Sequence, residues 1–240
     1  MTDSPPVLHQ WQQGLLGRAL IQGEAQLLAS TFDDVFGLEL LQLGTWGVGR
    51  ELLAPSRIRR QSVVADSVEA GACGDLVARL AHLPINSASV DAVLLPHTLE
   101  LAADPHAVLR EADRVLVAEG QLIVLGFRPA SLWGLRAAAS RAGFPPGLRR
   151  ILPASRVRDW LALLSYEIVD VRPYLYRLPR APRGSIESAV PSILYRGWFY
   201  PWPAAAYVIK ARKRVYTLTP IRPRLRERRP VFGGLVEPSA

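Results

Sequence analysis

The chain has 240 residues, 49% of them hydrophobic, with 29 Lys and Arg against 21 Asp and Glu for a formal net charge of +8; this suits one domain with a sizeable core and excludes wholesale disorder. The one cysteine, Cys73, excludes an internal disulfide and suits a reducing compartment. The start, MTDSPPVLHQW, lacks a basic segment followed by an apolar core, and no run approaches the roughly 20 apolar residues of a membrane helix, so a cytoplasmic protein without a membrane span is expected.

Residues 7–29 place apolar side chains at helical spacing (Leu8, Trp11, Leu15, Ala19), interrupted by Gly14, Gly17 and Gly23. One or two short helices are predicted there, forming an N-terminal helical cap over residues 1–35. The main domain is expected over 36–214.

Leu38 to Leu43 (LELLQL) reads as the first strand, and Gly44-Thr45-Trp46-Gly47-Val48-Gly49 follows it directly. A glycine-rich turn at the carboxyl end of a parallel strand lets a ligand approach the backbone without meeting Cβ atoms. Free amides at the start of a following helix can receive a carboxylate or phosphate. The plain alternative is a tight strand-to-helix connection. A helix from Arg50 is predicted to be cut short by Pro55. Ser62 to Ser67 (SVVADS) reads as the second strand. It ends on Asp66, about 20 residues past the glycine turn, where doubly wound nucleotide-binding sheets place a carboxylate for ribose hydroxyls. Asp66 could equally be an ordinary surface aspartate or a helix cap. A third strand is expected within Gly71 to Leu83.

The most informative stretch runs from Leu83 to Phe127. Val90 to Pro96 is a short apolar run entered from a polar turn, as suits a strand buried on both faces. Asp104 can cap the next helix, Pro105 fits its first position, and Val108, Leu109, Ala112, Val115 and Leu116 recur with helical spacing. Gly120 is expected to stop that helix in a left-handed conformation. Gln121 to Phe127 returns as a strand. Strand, amphipathic crossover and strand make a right-handed parallel unit, hence an α/β sheet.

This block (LP, then SVDAVLL-x-H-x-LE, then DP-x-x-VLRE-x-x-RVL-x-x-x-G-x-LIV) resembles the central part of class I S-adenosylmethionine-dependent methyltransferases. It looks most like the type 11 group, in a small bacterial form resembling the ubiquinone-biosynthesis type. The resemblance implies a doubly wound, mostly parallel seven-stranded sheet of Rossmann-like form, closed by an antiparallel strand pair. It implies S-adenosyl-L-methionine as cofactor, with Gly44, Thr45, Trp46 and Gly47 at its methionine end, Asp66 at the ribose, and Leu83 and His97 flanking the adenosine. His97 and Glu100 match the family's His-x-x-Glu string. His97 is the one candidate for acid–base chemistry, and Glu100 is expected to brace its loop.

The chain departs from the family at three places. Gln42 stands where the family carries Glu or Asp, and Trp46 stands at the second glycine unless one residue is inserted, which would restore Gly44, Gly47 and Gly49. Arg79 stands where the family has an aspartate that contacts the adenine amine, with Asp75 four residues early. A second hypothesis therefore stands beside the enzyme: a catalytically inactive relative that recruits a partner such as RNA. A nicotinamide-binding oxidoreductase fits less well, because the turn lacks a GxGxxG.

Beyond Phe127, helices are predicted over Ser131 to Gly143 and over Ser155 to Leu164, the latter capped by Ser155. Tyr166 to Leu175 and Pro203 to Lys213 read as paired strands. Between them an aromatic insert, 179–202, holds Trp198, Phe199, Tyr200 and Trp202 and could shape an acceptor site. Residues 215–240 form a basic tail (Arg222, Arg224, Arg226, Arg228, Arg229), expected to be disordered and suited to weak polyanion contact. Four histidines and one cysteine show no metal-ligand spacing, so no metal is expected. The methyl acceptor is expected to be a small molecule.

Overall fold

A computed structural model describes residues 5–47, 49–66, 74–140, 143–180 and 203–215. Two helices open the chain, α1 (Pro5–Gln13) and α2 (Leu15–Thr31), and the break falls at Gly14 in extended backbone. Leu20, Ile21, Leu27 and Leu28 form the buried stripe of α2, the 3.6-residue period the sequence carries.

Seven strands follow: β1 (Glu39–Leu43), β2 (Arg60–Ala65), β3 (Leu76–Val77), β4 (Val90–Pro96), β5 (Leu116–Phe127), β6 (Tyr166–Tyr174) and β7 (Ala206–Lys213). They form one sheet in the order β3-β2-β1-β4-β5-β7-β6. The first five pair in parallel; β7 lies antiparallel between β5 and β6. The mostly parallel sheet closed by an antiparallel pair is the predicted architecture. The order reverses between β1 and β4, and at such a switch point the carboxyl ends of the strands splay into a crevice.

Side chains alternate across the sheet, and both faces are covered. Leu40, Val63, Ala92, Leu94, Ile123 and Leu125 pack toward α2. Leu41, Leu43, Val64, Val93, Leu95 and Val124 pack in the other layer, which contains the helices α4 (Pro105–Val115) and α6 (Ala154–Leu163). Burial on both sides explains why these strands read as continuous apolar runs. Asp91 fixes β1 against β4, because its Oδ2 accepts from the amides of Leu38 and Glu39 at 2.8 and 2.9 Å.

The predicted start of α4 holds in detail. Asp104 Oδ1 accepts from the amides of His106 and Ala107, both at 3.0 Å, and Pro105 opens the helix. Its end does not. The helix stops at Val115, Leu116 already pairs with Val90, and Gln121 is the next residue in register, opposite Ala92. The intervening residues bulge out, and the positive φ (63°) falls on Glu119 rather than Gly120. Gly120 is there for space, since a Cβ would lie 2.7 Å from Leu116 Cγ and 2.9 Å from the Val117 carbonyl.

Three further expectations are corrected. Among the described residues no α-helix follows the glycine turn; residues 51–55 form tight turns, ended by Pro55, before β2 begins. Ser155 does not cap α6, which starts one residue earlier behind Pro153 without a side-chain cap. The second strand ends at Ala65, leaving Asp66 just beyond it. Short helices α3 (Thr98–Leu101) and α5 (Leu132–Ala139) complete the set, α5 capped by Ser131 Oγ accepting from the Gly134 amide at 3.0 Å. Residues 181–202 of the aromatic insert and 216–240 of the basic tail lie outside the described residues, as does Cys73. Among the described residues no helix is long and apolar enough to cross a membrane, and no cluster of potential metal ligands forms.

Candidate active site at the switch point

The carboxyl ends of β1 and β4 bring the glycine turn and His97 together. Gly44 and Gly47 adopt φ of +90° and +101°, which only glycine holds without strain. The turn is fastened from below by Gln42, 1% exposed, whose Nε2 donates to the carbonyls of Gly44 (2.9 Å) and Trp46 (3.2 Å). Both acceptors are carbonyls, so the amide is oriented unambiguously. Gln42 Oε1 is then buried with no partner among the described residues. Across the crevice Thr98 Oγ1 donates to the Leu43 carbonyl at 2.5 Å, tying α3 to the end of β1.

Trp46 points inward and is 1% exposed. Its indole lies 4.4 Å from the His97 ring and 6.0 Å from Phe127, between centroids. Its Nε1 donates to Glu24 Oε2 at 2.8 Å. Glu24 comes from α2 and is fully buried. Its Oε1 is met by Tyr174 Oη at 2.9 Å and by His97 Nε2 at 2.9 Å. The other imidazole nitrogen, Nδ1, lies 2.8 Å from Glu100 Oε2. Glu100 Oε1 in turn accepts from the Phe127 amide at 2.8 Å, and its carbonyl accepts from the Arg149 amide. Glu100 thus braces its loop, and does so through β5.

His97 therefore sits between two carboxylates with both ring nitrogens engaged, stacked 4.0 Å from Phe127. Burial alone would push its pKa down, but the charge of Glu24 and the bonds from both carboxylates outweigh that and raise it to about 9. It is an imidazolium at neutral pH, held at φ 55° in the left-handed region. Desolvation raises the pKa of Glu100, and burial beside Glu24 raises that of Tyr174 well above the phenol range.

The remaining residues singled out from sequence are placed as follows. Thr45 is half-buried in the turn, and Asp66 is exposed at the tip of β2. Leu83 is buried in the opposite layer, with Leu80 and Val108, and its amide donates to Glu111 at 2.6 Å. Arg79 is exposed. Asp75 is committed to structure: it pairs with Arg50 and accepts from the Val63 amide at 2.8 Å. Sequence reasoning missed Glu24 and Tyr174. The signal for Glu24 was present, since it lies four residues from both Leu20 and Leu28 on the apolar stripe of α2.

A methyltransferase-domain family model matches residues 53–124, the span from behind the glycine turn to the middle of β5. The chain is 32% identical to the uncharacterised protein YafS of Escherichia coli K12 over 197 residues, covering 78% of this chain and 73% of YafS. The chain belongs to the class I S-adenosylmethionine-dependent methyltransferase family. Among solved structures, a SAM-dependent methyltransferase from Thermotoga maritima, described as a possible histamine N-methyltransferase, matches this methyltransferase fold with a TM-score of 0.64 at 20% identity, over 85% of this chain and 94% of that one. A SAM-dependent methyltransferase from Archaeoglobus fulgidus matches with a TM-score of 0.58 at 16% identity, over 85% and 98%.

S-adenosyl-L-methionine is the cofactor of this family, and the residues at the switch point fit it in part. Gly44 and Gly47, both buried, hold left-handed backbone in the turn. The orphaned Gln42 Oε1 is an acceptor lacking a donor. Asp66 is an exposed carboxylate at the adjoining strand tip. The indole of Trp46 fills the space between the turn and His97.

Proposed function

We propose that the protein is a methyltransferase that uses S-adenosyl-L-methionine to methylate a small-molecule acceptor, with its working site at the carboxyl edge between β1 and β4. The observation that carries this reading is the glycine turn. It has two left-handed glycines and a buried acceptor unpartnered among the described residues, at the place in the parallel part of the sheet where the strand order reverses. When bound, such a cofactor supplies a methyl group on a sulfonium already activated toward in-line displacement, so the protein's part is positioning and exclusion of water.

In this reading Gly44, Thr45, Trp46 and Gly47 hold the amino-acid end through main chain and Gln42, and Asp66 accepts from the ribose hydroxyls. Leu83 borders the adenosine side from the opposite layer. His97 is a positioning residue. With both nitrogens engaged and a pKa near 9 it has no free basic nitrogen to deprotonate an acceptor. It ties α2, α3 and the end of β4 into one wall of the site. A cytoplasmic setting belongs to the same reading, supported by the single cysteine.

The test is methyl transfer from methyl-labelled S-adenosylmethionine into fractionated small-molecule extracts, followed by mass spectrometry of labelled products and of S-adenosylhomocysteine. Product formation that depends on the protein and falls with Asp66→Ala is expected. Binding of the cofactor with no transfer into any fraction would refute the small-molecule acceptor.

A further inference from the structure

Position 42 carries an amide where the resembled family carries an acid. Gln42 is neutral, and its amide nitrogen is consumed by two carbonyls of its own turn. Yet a buried carboxylate still reaches the turn from another part of the chain. Glu24 arrives from α2, fully buried, and its Oε2 is held by a single neutral donor, the indole N–H of Trp46.

Among the described residues, the cation that Glu24 meets is His97. One imidazolium faces two carboxylates, Glu24 and Glu100, and the hydroxyls and indole bonded to them are neutral. His97 is thus shared between Glu24 and Glu100, and each of the three is at most 1% exposed. A buried charge without a counter-charge is costly, and an N–H bond from a neutral ring offsets little of that cost. An ammonium on the same oxygen would bring that carboxylate an opposite charge, which the neutral indole does not. The carbonyl of Trp46 is held by Gln42 Nε2, so the backbone of the turn is fastened independently of the indole.

We propose that Glu24 replaces the acid missing at position 42: its Oε2 receives the ammonium of a ligand's amino-acid end, and the Trp46 indole holds that place shut until the ligand arrives. This rests on the reading of the switch point as a cofactor seat. Trp46 is then a latch that exchanges its N–H for the ligand's ammonium and swings outward.

Two nucleosides separate the ideas. S-adenosylhomocysteine carries the amino-acid end; methylthioadenosine has the same nucleoside and thioether without it. Both are titrated by calorimetry into the wild type, Glu24→Gln and Trp46→Phe, with tryptophan emission recorded in parallel. Glu24→Gln should weaken S-adenosylhomocysteine binding by about tenfold or more while changing methylthioadenosine less than about twofold, as loss of one charge-assisted bond requires. Trp46→Phe, which removes the competing N–H and keeps the bulk, should bind S-adenosylhomocysteine several-fold tighter. Emission should shift to the red when the wild type binds S-adenosylhomocysteine, and the shift should vanish in Trp46→Phe. Equal losses for both nucleosides in Glu24→Gln, or an emission unchanged by binding, would overturn the latch while leaving the cofactor seat intact. Should Glu24→Gln fail to fold, Trp46→Phe decides alone: unchanged affinity and an unchanged emission shift overturn the proposal. No binding of either nucleoside to any variant would overturn the seat and the latch together.

Discussion

Replacing His97 by Asn tests whether the buried cluster is ionised. Asn tolerates the left-handed backbone that His97 holds at φ 55°, so the substitution removes the charge without adding backbone strain. It leaves Glu24 and Glu100, which lie 2.9 and 2.8 Å from the imidazole, buried without their cation. Removing one partner of a buried ion pair costs about 3–5 kcal/mol. For a chain of this length each kcal/mol shifts the melting temperature by about 2–4 °C, so a fall of roughly 6–20 °C is expected. Urea unfolding followed by circular dichroism at pH 7 measures the loss directly. Repeating it at pH 5 should show a smaller loss, because desolvation already raises the pKa of Glu100 and the stranded Glu100 carboxylate can take up a proton. A loss below about 1 kcal/mol at pH 7 would mean that His97 is not an imidazolium between two carboxylates, and the charge argument for Glu24 would fall with it.

The wild type should itself lose stability in alkali. The pKa of His97 is raised from 6.5 to about 9 on folding, so its contribution is fully present below pH 6.5 and lost as the pH rises through 9. The shift corresponds to roughly 3 kcal/mol, read as the difference in urea unfolding between pH 6 and pH 9.5; the same difference in His97→Asn should be clearly smaller, and equal slopes in the two proteins would refute the assignment. Gly126→Ala should cost about 1–3 kcal/mol by overpacking, because a Cβ there would lie 2.5 Å from the Tyr207 ring, whose hydroxyl is held by the Leu152 carbonyl; an unchanged thermal melt would contradict the packing of β5 on β7. Asp66→Ala should leave the melt unchanged, since Asp66 is exposed, but weaken S-adenosylhomocysteine about tenfold through loss of a bond to a charged group; unchanged affinity would remove Asp66 from the site.

The parts of the fold legible in the sequence were those set by local chemistry. Val90 to Pro96 was readable as a strand because both its faces are buried, and the start of α4 was readable because Asp104 and Pro105 act within one turn. The end of α4 was not, since the register of Val90 against Leu116 is a tertiary pairing that overrides the helical period. The candidate site divides in the same way. The glycine turn and Asp66 are marked by residue type and spacing. Glu24 and Tyr174 reach His97 from 73 and 77 residues away, and such a meeting has no local signature. His97 looked like a cleft histidine because it ends a central strand; the carboxylates that bury and charge it come from α2 and from the next turn of its own loop.

The central claim is that the glycine turn between β1 and β4 seats S-adenosylmethionine. Calorimetric titration of the wild type and Gly44→Arg with S-adenosylmethionine and S-adenosylhomocysteine tests it most directly, since any side chain at Gly44 is strained at φ +90° and its Cβ would meet Thr98 Oγ1 at 3.2 Å. Micromolar binding by the wild type that Gly44→Arg abolishes is the predicted result. No heat with either compound at millimolar concentration, or binding that Gly44→Arg leaves intact, would contradict it.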